Sequence, residues 1–151
     1  MARAKTTTAE RELLDETSIV ELLFSVTREF NEHVHGCMAE LDVTVPQGHA
    51  MRHLTTPISQ RDLAARLGYD ASNVTGIIDR LEANGLVERH VAEGDRRVRL
   101  VSLTDKGVAL MVDLRGRIIE ASPLLHRLEH DERHTLHLLL AKLAGEDASI
   151  P

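Results

Sequence analysis

Apolar residues recur along this chain with two different periods, and the changes between them mark out the elements. Residues 1 to about 9, with Thr6, Thr7 and Thr8, show no apolar pattern and are expected to form a loose end. From Glu10 the chain reads as helical: Ile19, Leu23, Val26, Phe30 and Val34 recur at three- and four-residue spacing, with Glu21, Arg28, Glu29 and Glu32 between them. A stripe of that length needs a partner surface. Thr44 is placed as an N-cap with Pro46 in the first turn, opening a short helix through Ala50, Met51 and Leu54 that Thr55, Thr56 and Pro57 end.

Ser59 is placed as the next N-cap, for a helix whose apolar positions Leu63, Ala64 and Leu67 stop at Gly68. After the turn Tyr69-Asp70 a second helix carries Val74, Ile77, Ile78 and Leu81 inward and ends at Asn84-Gly85. The period then falls to two. Leu86 to Val91 and Arg96 to Leu103 are β-branched and apolar segments around Ala92-Glu93-Gly94-Asp95, which predicts a β-hairpin. Thr104 caps a further helix through Met111, Leu114, Ile118 and Leu125, which Pro123 should kink or interrupt. A last helix carries Leu136, Leu139, Leu140 and Leu143, and a tail follows from Gly145.

Composition changes this picture in two respects. The 151 residues suffice for a real core, and Cys37, the only cysteine, excludes an intramolecular disulfide. No basic start with an apolar stretch lies near Met1 and no apolar run approaches the roughly 20 residues that cross a bilayer, so a cytoplasmic protein without membrane contact is expected. The formal charge of -6 at first argues against nucleic acid. From Arg52 to Gly107, however, Lys and Arg number 9 against 8 Asp and Glu, while the remainder holds 9 against 16, so the acidity lies outside the middle segment. Arg96, Arg97 and Arg99 fall within four residues there.

Two short helices about a tight turn serve DNA binding by simple geometry: the first braces, and the second enters the major groove with its N-terminal side chains at base edges. Ser72, Asn73, Thr75 and Gly76 form a small polar leading face, with Asp79 and Arg80 one turn on. Arginines on a hairpin can enter the narrow minor groove, which favours a DNA-binding wing over a hairpin whose charges Glu93 and Asp95 merely neutralise.

The segments SQRDLAARLG (Ser59–Gly68), RLEANGLVER (Arg80–Arg89) at the end of the helix from Ala71, and GDRRVRLVSLTDKG (Gly94–Gly107) resemble the winged-helix signature of the MarR family. The likeness is close over the middle third and loose over most of the remaining chain. It implies a mainly α fold with a small β-hairpin wing, in which a winged helix-turn-helix domain at 45–107 is flanked by dimerisation helices at 10–44 and 108–145. It further implies a homodimer on double-stranded DNA, repressing from a palindromic operator, with no catalysis and no cofactor. The family's Asp-x-Arg wing motif falls on Asp95 and Arg97, which makes Asp95 the brace and Arg97 the minor-groove residue, with Arg96 and Arg99 on phosphates; the resemblance likewise makes Ser59, Gln60 and Arg61, opening the first helix of the pair, candidate phosphate contacts. Release by a small-molecule effector is a family trait that the resemblance carries over without an identity.

Other chemistry is weaker. Cys37 lacks an adjacent Lys or Arg, and Glu40 and Asp42 would raise its pKa, so a passive small residue is expected rather than an oxidant sensor. His126, His130, His134 and His137 approach helical spacing, but the family's helix break near 129–131 would separate them, and His33 and His35 point to different sides of a helix; no metal site is expected. No phosphate loop, nucleophile elbow or His-Glu-x-x-His spacing supports an enzyme. The rival reading is a protein-binding winged-helix dimer without specific DNA affinity.

Overall fold

The computed structural model describes the backbone of residues 8–92 and 95–146 and the side chains of residues 15–91 and 99–146. Its helices are α1 (Thr8–Glu40), α2 (Val45–Arg52), α3 (Gln60–Leu67), α4 (Ala71–Ala83), α5 (Asp105–Glu120) and α6 (His130–Ala144). Strand β1 (Ile58–Ser59) leads into α3, while β2 (Val87–Ala92) and β3 (Asp95–Leu103) lie between α4 and α5. The three strands form one antiparallel sheet in the order β1-β3-β2. The result is a mostly helical chain with a small sheet.

Strand β1 is absent from the sequence reading, which took Thr55 to Pro57 only as a helix end. Ile58 pairs with Val101 and Ser59 with Leu100. Two residues are too few to show an alternation, and their partner lies some forty positions away. The expected helix through Leu125 is also shorter: α5 stops at Glu120, and Leu125 opens a 3-10 turn ending at Arg127. Pro123 explains the stop, because it lacks an amide donor and disfavours helical backbone at the residue before it.

The chain divides into two compact units, residues 34–120 and the segments on either side of them. In the first unit Met51, Leu54, Leu63, Val74, Ile78, Leu81, Val87 and Val101 are essentially inaccessible to water. They join α2, α3, α4 and the sheet into one core. A second cluster packs Cys37, Met38 and Val43 against Leu114, with Val34, Met111 and Ile118 at its margin. That cluster draws the end of α1 into this unit. Arg117 adds a polar tie, meeting Asp113 at 3.1 Å and Glu40 at 3.2 Å.

The other unit is differently constituted. Glu29 on α1 receives two hydrogen bonds from Arg127, at 2.6 and 3.0 Å. Yet Ile19, Leu22, Leu23, Phe24, Val26 and Phe30 on α1 and Leu138, Leu139, Leu140 and Leu143 on α6 are exposed in the single chain. Among the described residues no helix is long and apolar enough to cross a membrane.

Candidate nucleic-acid interface

Local chemistry sets the helix-turn-helix. Ser59 caps α3: its hydroxyl accepts the Asp62 amide hydrogen at 3.1 Å and donates to the Asp62 carboxylate at 2.7 Å. Gly68 ends α3 with φ 65, the left-handed value that glycine adopts without a Cβ clash, and the chain turns through Tyr69 and Asp70 into α4. Val74, Ile77, Ile78 and Leu81 then face the core. That leaves Ser72, Asn73, Thr75, Asp79 and Arg80 exposed on the opposite side. A Cβ built on Gly76 would meet nothing within 4 Å, so no packing within the chain demands glycine there. The outward face of α4 is therefore low, polar and open.

The sheet stands at the C-terminal side of α4. Val87 pairs with Leu103, Arg89 with Val101 and Val91 with Arg99, so alternation places these six residues on one face. Val87 and Val101 are buried, Arg89 is mostly covered, and Val91 and Arg99 are exposed further out. Arg89 donates to Asp79 at 2.5 Å and, through its other terminal nitrogen, to Glu82. Thr104 joins the next helix to the same corner: its hydroxyl donates to the Gly85 carbonyl at 2.7 Å and accepts from the Gly107 amide at 3.1 Å. Lys106 donates to the Asn84 carbonyl at 2.8 Å, occupying an acceptor at the C-terminus of α4.

Residues 41–98 match the family model described as the MarR family. Wild-type MarR of E. coli in its apo form is 28% identical with a TM-score of 0.71, over 82% of this chain and 93% of that one. The YusO protein of Bacillus subtilis is 26% identical with a TM-score of 0.67, over 93% of this chain and all of that one. A point mutant of S. aureus MepR, solved bound to an oligodeoxyribonucleotide, is 23% identical with a TM-score of 0.62, covering 84% and 96%. The middle of the chain is thus similar to the MarR family, and its fold is the winged helix of these structures.

In the winged-helix fold shared with these structures α4 occupies the place of a recognition helix and the β2–β3 hairpin that of a wing; the MarR family is one of transcriptional regulators, typically DNA-binding dimers. The candidate residues gather on one unit, yet they are not equally disposed. Arg61, Ser72, Asn73, Arg80 and Arg99 present exposed side chains. Thr75 is exposed too, but its hydroxyl already donates to the Ala71 carbonyl at 2.9 Å. Ser59 spends its hydroxyl on the α3 cap, and the side-chain nitrogen of Gln60 is buried without a partner. Asp79 is held by Arg89. Asp95, Arg96 and Arg97 lie on β3, and their side chains fall outside the described residues, as do Glu93 and Gly94 altogether.

Sequence reasoning missed Arg89, which it read only as a strand residue. The available signal was modest: Asp79 and Glu82 are three apart on one helix face, with an arginine in the strand that follows. For Cys37 the structure adds a cause. Burial first, and the Glu40 carboxylate next, push the thiol up from its usual range, against the lowering influence of Arg117. His126 lies on the 3-10 turn, whereas His130, His134 and His137 lie on α6. Among the described residues no group of three or more His, Cys, Asp or Glu side chains is arranged to hold a metal ion.

Proposed function

We propose that this protein is a sequence-selective DNA-binding regulator that acts as a homodimer on a palindromic duplex and represses by occluding it. One observation carries the reading: an open, polar face on α4 that includes Ser72, Asn73 and Arg80, beside a sheet whose outer part carries Arg99. Small polar side chains let a helix approach base edges, and Asn and Arg suit bidentate contacts there. Arg61 on α3 and Arg99 on β3 flank that face as phosphate contacts, and Arg97 serves as the minor-groove residue with Asp95 as its brace. The DNA-bound MepR variant of the same fold supports this use of the architecture.

The test is a salt series of binding to the intergenic duplex beside the protein's own gene, with wild type and Arg97→Ala in parallel. Tight, sequence-selective binding that weakens steeply with salt, and that falls at least tenfold in the variant, is the expected result. Weak binding indifferent to sequence and to the substitution would instead favour a winged-helix dimer that binds protein. The same assay, read as DNA release, then serves to screen for an effector.

A further inference from the structure

We propose that Arg89 is a positioning residue for DNA binding, one that ties the root of the wing to the recognition helix and neutralises two carboxylates on that helix. The inference rests on the DNA-binding reading. Its geometry is independent of that reading. Arg89 sits on β2 opposite Val101, which itself pairs with Ile58 of β1, so its backbone is fixed at the inner end of the sheet. Its side chain is only 20% exposed, whereas those of Asp79 and Glu82 are 59% and 41% exposed. One guanidinium, largely covered, thus grips two carboxylates that otherwise face water.

Position gives that grip its consequence. Asp79 follows Ser72 by seven residues and Thr75 by four, which places all three on nearly the same line along α4. An uncompensated carboxylate there would face the phosphates that the helix must approach, and like charges repel most where water is being excluded. Val91 and Arg99 continue outward on the same face of the sheet as Arg89. The residue that neutralises α4 therefore also fixes the strand from which the wing projects. An ion pair with exposed carboxylates adds little to folding, so the effect should appear in binding rather than in stability.

The experiment measures fluorescence anisotropy on the intergenic duplex from 50 to 200 mM salt for four proteins: wild type, Arg89→Met, the Asp79→Asn/Glu82→Gln variant, and the variant with all three changes. Arg89→Met should bind at least tenfold more weakly, with the salt slope unchanged and Tm within about 3 °C of wild type. Once both carboxylates are neutral, removing Arg89 should change affinity less than twofold, because it then has nothing to hold. The proposal is overturned if Arg89→Met binds like wild type, or if it costs the same factor in both backgrounds with the salt slope reduced by about one, the signature of a direct phosphate contact. A loss matched by a large fall in Tm overturns it as well. Wild type that shows no salt-sensitive, sequence-selective binding fails the DNA-binding reading itself, before any variant is compared.

Discussion

His49 shows how one side chain links burial to solution behaviour. It lies on α2, and its imidazole titrates below the usual range, first because it is partly desolvated and then because Arg52, His35 and His53 add positive potential. The unfolded chain therefore binds this proton more readily than the native chain does. As pH falls below about 6.5, protonation stabilises the unfolded state first, and the stability associated with neutral His49 is lost as pH passes down through its lower native value. Tm should accordingly drop between pH 7 and pH 5, and His49→Gln should drop less; equal drops in the two proteins would exclude this origin. Nothing in the local sequence foretold that environment, because burial is a property of the assembled core. The caps were legible for the opposite reason: Thr44, whose amide and hydroxyl both donate to Gln47 at 2.9 Å, acts within one turn of itself, as Ser59 does. Arg89 reaches partners seven and ten residues back across a turn, a relation that no short-range rule encodes.

Between elements the decisive contact is where α5 meets the turn between α4 and β2. The Leu86 carbonyl accepts the Thr104 amide at 3.1 Å, and a Cβ added to Gly107 would fall 2.0 Å from that same carbonyl oxygen. Backbone, not a flexible side chain, is the obstacle. Gly107→Ala must then push α5 away from Leu86 or break the cap, and overpacking of this kind costs about 1–3 kcal/mol or more. Chemical denaturation should show the loss, whereas a variant as stable as wild type would mean that α5 shifts there without cost. The helices and the hairpin were readable because each carries its own period and its own punctuation. Strand β1 and the early end of α5 were less so: the first exists only through pairing with β3, and the second depends on whether the chain kinks or stops before Pro123.

At the scale of the whole molecule the unresolved quantity is the apolar surface of α1 and α6. Leu23, Val26 and Phe30 are between 42% and 47% exposed, Phe24 is 74% exposed and Leu143 is 73% exposed. So many exposed apolar side chains on two helices are unusual on a lone chain in water and fit coverage by a second copy, as the proposed binding to a palindromic duplex requires. Replacing Leu23 and Phe30 with Glu places charges where that copy would pack while leaving the core of residues 34–120 untouched. Sedimentation should then report a monomer, and affinity for the two-half-site duplex should fall at least a hundredfold, with a salt slope near half that of wild type because half the phosphate contacts remain. A protein that unfolds instead is read through wild type, whose Tm should rise with protein concentration if association stabilises the fold. A variant that stays dimeric, or a monomer that binds the duplex as wild type does, would mean that these helices serve something other than the alignment of two winged helices on DNA.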